Sequence, residues 1–395
     1  MDFTDAIKKA ERKILNTAAT IPNGTSFPSV GLSADGEVIW QNGGCWTEGF
    51  WPGQLYLAYQ DTENEAYLKA ARTYEDFFDV RAENDPDVCE KNGYIPLDHD
   101  IGFIFSLSRV ADYKLTGNER AKNCAIKAAR VLKGRFNEKG KFIRAWDTWK
   151  WDTDEEFIRD KKGKAIIDSM MNMPILFWAA KETGEQVFYD VAYAHATTVM
   201  KNFVRADGSI YHTFNFNPET GEPVQGKTGQ GYHDESAWSR GQSWGVHGFA
   251  LAYMYTKDEV FLKTAEKVAD YFIDHLSKTY LPKWDFCVEE APYIPIDASA
   301  AACAASGMLE IYKYTKKEKY KECAEKMLFA LTTICSTLDN DNFQPLLLHT
   351  CVGPAYAKGT ENVVGGHTDT PSAYADFFYL EAMLKLKNPN MELFW

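Results

Sequence analysis

AYMYTKDEVFLKTAEKVADYFI, residues 252–273, reads as the end of one helix, a polar turn and the start of the next. Behind the turn, Phe261, Thr264/Ala265, Val268 and Phe272 recur at the spacing of one helical face. Four other segments follow the same plan: LAYQDTENEAYLKAARTYEDFF (57–78), ADYKLTGNERAKNCAIKAARVL (111–132), WAAKETGEQVFYDVAYAHATTV (178–199) and IYKYTKKEKYKECAEKMLFALT (311–332). Thr62, Thr116, Thr183, Thr256 and Thr315 mark the turns as N-cap candidates or their neighbours, with acidic or amide residues following. These anchors lie 54, 67, 73 and 59 residues apart, longer and less regular than a solenoid unit. The excess falls in loops rich in Gly, Pro and aromatic residues, where chemistry is expected. A first helix near residues 5–17 can pair with a last one near 372–386, adding a sixth hairpin and closing the series. The pattern predicts one all-α toroid spanning 1–395, with short strands in its loops.

Composition narrows the function. The chain carries a net charge of −13, which argues against a nucleic-acid partner, since such binding needs a basic surface. An anionic ligand would need local cationic help. The N-terminus MDFTDAIKKAERKIL lacks the pattern of a signal peptide and no run of apolar residues is long enough for a membrane span, so a cytoplasmic location is expected. The eight cysteines form no Cys-x-x-Cys pair and read as reduced, packed thiols.

Eleven tryptophans and 21 tyrosines are a heavy aromatic load, and Trp40, Trp46, Trp51, Trp146, Trp149 and Trp151 fall in loops before helices. Flat aromatic faces suit sugar rings, although each Trp taken singly is equally suited to a core. Asp98, His99 and Asp100 precede an apolar helix, where capping is the simpler reading. Asp168 lies inside an apolar run, which would desolvate a carboxylate and suit it to general acid work; an N-cap of a helix over 169–181 is the alternative. Between Tyr211 and Gly248 stand His212, Gln230, His233, Asp234, Glu235, Trp238, Arg240, Gln242 and Trp244. Arg240 and Trp244 are spaced i, i+4, so an Arg fork beside a stacking Trp can hold a substrate carboxylate. Helix caps at Asp234 and Glu235 and a structural ion pair for Arg240 are the plainer options. His195 and His275 read as structural; His247 and His349 stay open. No zinc motif, phosphate loop or nucleophile elbow occurs, so no metal or cofactor is expected and carboxylate chemistry remains.

From about Trp40 to the C-terminus the sequence resembles the unsaturated glucuronyl hydrolases, glycoside hydrolase family 88. The runs that carry the resemblance are WTEGFWPGQLYLAY, LDHDIGF, IIDSMMNMPIL, YHTFNFNPETGEP, TGQGYHDESAWSRGQSWGVHG, IDASAAACAASGM and QPLLLH. The resemblance implies an (α/α)6 barrel with the active site at one mouth. It also implies a small unsaturated oligosaccharide as substrate, whose C4=C5 vinyl ether is hydrated. Asp168 would give a proton to C4 and take one from the water adding at C5. Asp100 would bind ring hydroxyls, stay ionised and hold Asp168 at a useful pKa through like-charge coupling. Trp46, His212, Gln230, Trp238, Arg240 and Trp244 would bind the sugar or orient water and the carboxylate.

Members that prefer sulfated disaccharides carry two serines and a lysine after QPLLLH. Here TCVGPAYAKG puts Gly353 and Tyr356 in place of the serines and keeps Lys358. Three other readings compete: an unsaturated rhamnogalacturonyl hydrolase, which Asp100 in HDIGF disfavours; an epimerase with paired histidines; and a noncatalytic carbohydrate-binding protein. The sequence leaves oligomeric state open.

Overall fold

Each repeat turn closes in the same way. Thr62, Thr116, Thr183, Thr256 and Thr315 are the last residues of the helices Phe50–Thr62, Ala111–Thr116, Pro174–Thr183, Ser239–Thr256 and Ala298–Thr315. Every hydroxyl donates to the carbonyl four residues back, at 2.6 to 3.0 Å. A left-handed residue follows, namely Glu63, Gly117, Gly184, Lys257 or Lys316. The next helix is capped one position later, with Asn64, Asn118 and Asp258 accepting from its first amides. The threonines therefore end helices instead of starting them: each hydroxyl gives its proton to its own preceding turn, and at Thr62, Thr183, Thr256 and Thr315 its oxygen accepts the amide two residues on, ahead of the next helix.

The computed structural model describes residues 1–33, 35–148, 153–289, 293–353 and 368–395. Six inner helices form a ring in the order Phe50–Thr62, the run from Ile101 to Thr116, Pro174–Thr183, Ser239–Thr256, Ala298–Thr315 and Ala373–Lys387, which packs back on the first. They are buried nearly all round, as in Ala298–Thr315, where every residue from Ala298 to Ile311 is buried. Its alanines and serines let the helices on either side approach closely. Outer helices bury one face only. Glu259–Asp274 packs Phe261, Leu262, Ala265, Val268 and Phe272 inward. Thr4–Ala18 lies against both Phe50–Thr62 and Ala373–Lys387, which makes it the outer member of the closing hairpin.

Five inner helices lead through a short turn to an outer one, and the sixth sets Tyr374 beside Arg240 and Lys385 on the Ser306 carbonyl, so all six point the same way. Their N-terminal ends share one mouth with the long loops and the short strands. At the opposite end Trp395 is buried, stacked on Phe378 at 5.7 Å, with its indole N–H on Glu381 at 2.8 Å. All eight cysteines are free thiols, six of them buried. No helix among the described residues is long and apolar enough to cross a membrane.

Candidate active site

The strand Lys164–Ile166 pairs antiparallel with Thr213–Phe216, and the Ile167 amide donates to the His212 carbonyl at 3.0 Å. This register sets Asp168 beside His212 at the mouth. A 3-10 turn, Ile167–Met171, comes next, and Pro174 at the first helical position starts the α-helix only there. Asp168 thus stands ahead of the helix and does not cap it. Its Oδ2 is buried without a hydrogen-bond partner. Burial raises its carboxyl to about 7, with Arg240 pulling it down and Asp98 adding to the rise.

Asp100 occupies the cap position of the helix Ile101–Phe105 but makes no side-chain cap bond. Instead its Oδ1 accepts from Asn172 Nδ2 at 3.3 Å, and the same amide donates to the Asp168 carbonyl at 3.1 Å. Asn172 is held in turn by the Phe103 amide on its Oδ1 at 2.8 Å. A Cβ at Gly102 would stand 2.5 Å from Asn172 Cα, so the glycine of HDIGF is what admits this contact. Burial, then Asp98, then Asp168 push the Asp100 carboxyl well above the usual carboxylate range. This direction runs against the expectation that Asp100 stays ionised: burial favours its neutral form, and burial is also the first cause of the rise at Asp168.

His212 Nδ1 accepts from the amides of Gly229 at 3.0 Å and Gln230 at 3.2 Å, which leaves the ring proton on Nε2. That Nε2 is buried and unpartnered. Burial, and then Arg240, lower the His212 pKa to about 3, so the ring is a neutral donor. Its ring lies 4.4 Å from that of Trp238, whose indole N–H is also unpartnered. Buried polar atoms without partners at a mouth are what a bound ligand would satisfy.

Arg240 differs from the carboxylate fork expected of it. Its Nη1 donates to Asp297 Oδ2 at 2.8 Å and the Cys351 carbonyl at 2.6 Å; its Nη2 donates to Gln230 Oε1 at 2.8 Å and the Val352 carbonyl at 3.0 Å. Four terminal N–H bonds are thus committed to the protein. The guanidinium stacks over Trp238 at 4.5 Å and lies 5.4 Å from Tyr374, not on Trp244. Trp244 is fully buried between Phe103 and Phe378, beneath the site. Trp46 is partly exposed and lies 5.0 Å from Tyr374. Asp297 caps Ala298–Thr315 through its other oxygen, so one carboxylate joins that helix to Arg240.

Lys358, Tyr356, Trp149 and Trp151 lie outside the described residues. Asp234 and Glu235 are not caps of Ser239–Thr256: Asp234 accepts from the Thr228 amide and Glu235 from the Tyr211 hydroxyl. His195 takes the Ile143 amide on Nδ1 and His275 stacks on Tyr271, both structural. His247 is buried beside Lys385 in the core, and His349 pairs with Asp369 at 2.8 Å. Among the described residues only Asp98, His99 and Asp100 group ligand atoms within 4.8 Å, and His99 Nδ1 already bonds the Ala145 carbonyl.

The model of Glycosyl Hydrolase Family 88 matches residues 26–280. The chain belongs to this family, the unsaturated glucuronyl hydrolases. It is 35% identical over 360 residues to the unsaturated chondroitin disaccharide hydrolase of Streptococcus pneumoniae, covering 89% of this chain and 83% of that protein. To the unsaturated glucuronyl hydrolase of a Bacillus species it is 34% identical, with 92% of each chain covered. The crystal structure of an unsaturated glucuronyl hydrolase from Bacillus sp. superposes with a TM-score of 0.87 at 30% identity, over 100% of this chain and 99% of that one. A mutant of the Streptococcus agalactiae enzyme complexed with dGlcA-GalNAc6S superposes at 0.79 with 30% identity, over 100% and 95%. The (α/α)6 barrel expected of the glucuronyl hydrolases is therefore the fold of this glycoside hydrolase. The sequence alone singles out neither Asn172 nor Tyr374, and it gives His99 no role beyond its place before the helix. An amide inside the apolar run IIDSMMNMPIL was the available signal for Asn172, because a buried amide must have partners.

Proposed function

We propose that this chain, as one catalytic unit over 1–395, removes the 4,5-unsaturated uronic acid from the non-reducing end of lyase-generated oligosaccharides, glycosaminoglycan-type disaccharides foremost. The observation that carries the reading is the pair of buried, unpartnered atoms Asp168 Oδ2 and His212 Nε2, on segments joined by the Ile167–His212 backbone bond. A carboxyl near 7 can hold a proton and release it at physiological pH. Asp168 gives that proton to C4 and takes one from the water that adds at C5. The resulting hemiketal opens and the remaining sugar leaves. His212 and Trp238 present N–H donors to the sugar, while Trp46 offers an aromatic face. Arg240 and Gln230 shape the pocket, and Arg240 adds positive charge to it. Trp244 supports the floor through Phe103. Lys358 is kept as a candidate for the sulfate-bearing side, where Gly353 replaces a family serine.

The test is loss of the enoate ultraviolet absorbance when the purified protein meets unsulfated and 6-sulfated unsaturated chondroitin disaccharides. Decay with wild type and none with Asp168→Asn is expected. No decay on these or on heparin-derived, pectin-derived and gellan-derived products would return the chain to the carbohydrate-binding alternative.

A further inference from the structure

His99 has no assigned part in the site, yet it is the most constrained titratable group there. Its ring is buried, and Nδ1 lies 2.8 Å from the Ala145 carbonyl, an acceptor that can only receive a proton. Asp98 Oδ1, also an acceptor, is 3.7 Å from the same nitrogen. The proton of a neutral ring must then sit on Nδ1, leaving Nε2 with a lone pair. That Nε2 stands 3.2 Å from Asp100 Oδ1, a close contact outside hydrogen-bond geometry, and no group bonds it. A lone pair this close to an ionised carboxylate is repulsive, and a neutral carboxyl relieves that repulsion.

We infer that His99 is a positioning residue whose locked Nδ1–H tautomer keeps the proton on Asp100 and so leaves Asp168 as the one carboxyl of the pair that titrates. At His99 burial outweighs Asp98 and the Ala145 carbonyl, which favour a charged ring. Asp98 and Asp168 are acidic and oppose a second negative charge at Asp100. Arg135, bonded to the Leu97 and Ala145 carbonyls, discourages a positive charge on the ring. His195 and His212, the neighbouring imidazoles, are themselves neutral through burial. The edge of Trp146, 5.9 Å from the imidazole, adds no partner for Nε2. Burial likewise disfavours an imidazolium at His99.

The inference rests on the reading of Asp168 and Asp100 as the working pair, and two measurements separate the two claims. In wild-type protein labelled with 15N-histidine, His99 should show one neutral imidazole, protonated on Nδ1, at every pH at which the protein is folded and active. Its signals are identified by their loss in His99→Asn or, should that variant not fold, by their displacement in Asp100→Asn. A proton on Nε2, or titration to imidazolium in that range, overturns the proposal.

The second measurement is the pH profile of kcat/KM in His99→Asn, in which the lone pair facing Asp100 gives way to an amide that can donate to it, so that Asp100 ionises more readily beside Asp168. The alkaline limb should move to higher pH, since a charged neighbour makes Asp168 hold its proton longer. A lower rate with an unmoved limb would mean that His99 only supports the fold, and the proposal would fail. Activity retained in Asp168→Asn would instead remove the acid assignment while leaving the tautomer result intact.

Discussion

Replacing Asp168 by Asn should slow the enzyme and, at the same time, stabilise it on the alkaline side. Free aspartate titrates near 3.8, whereas burial holds this carboxyl to about 7. At pH 7 an ordinary Asp would carry its proton in roughly one molecule in a thousand; here about half of the molecules carry it, a gain worth about 4 kcal/mol. The same shift acts on stability with a fixed sign. Between the unfolded value near 3.8 and the folded value of about 7, the native state binds the extra proton, so stability falls as pH rises through that window and is flat above it. Asn has no charge to bury. Its benefit should be absent below the unfolded value and grow to at most about 4 kcal/mol above the folded one.

Two assays read this out. In wild type, kcat/KM followed by enoate absorbance should be level on the acid side and fall about tenfold per pH unit beyond about 7, because that ratio reports free-enzyme ionisations. Asp168→Asn should lose at least about 100-fold to 10,000-fold in kcat, the range for a lost acid-base group. Thermal unfolding of the two proteins, measured across pH, should diverge only as pH rises. A wild-type profile that stays level into mild alkali, or melting curves that differ equally at acid and alkaline pH, would refute the buried-acid account.

Arg240→Gln removes the positive charge that holds Asp168 down, so the alkaline limb of kcat/KM should move to higher pH; it also strands the buried Asp297 carboxylate and should destabilise the fold by about 3–5 kcal/mol in denaturant titrations. Asn118 caps Glu119–Lys133 while its amide bonds Asp112 and Glu75, and Asn118→Ala should lower stability by about 1–2 kcal/mol without altering KM. Treatment with a chelator should leave the rate unchanged, since the chemistry proposed uses a carboxyl and a neutral imidazole; a loss restored by a divalent ion would contradict it.

The hairpin plan was legible because helical turns repeat locally: a polar turn between two apolar stripes needs no distant partner to be recognised. What the threonines do was less so. A hydroxyl at the end of one helix and two residues before the next cap fits either role, and only the left-handed residue between them decides. Asp168 was legible from its apolar surroundings, which set its desolvation. Of the two readings of Arg240, the structural ion pair is the one seen, and the sequence could not choose because Asp297 and the Cys351 and Val352 carbonyls lie 57, 111 and 112 residues further on. His99 is a similar case, since the carbonyl that fixes its tautomer belongs to Ala145.

How a chain with a net charge of −13 accepts a uronate follows from the direction of its helices. In this barrel every inner helix runs away from the mouth, so Ile101, Pro174, Ser239, Ala298 and Ala373 all begin there and their N-terminal dipoles converge on it. Each such end is worth a fraction of a positive charge, and the effect is largest where water is excluded. Arg240 adds a full charge but is neutralised by Asp297. Keeping a proton on Asp100 removes a negative charge from the same place. The site thus favours an anion less by accumulating cations than by aligning amides and leaving its own acids uncharged. The desolvation that suits Asp168 to protonate C4 is then the same property that lets an acidic protein bind an acidic sugar.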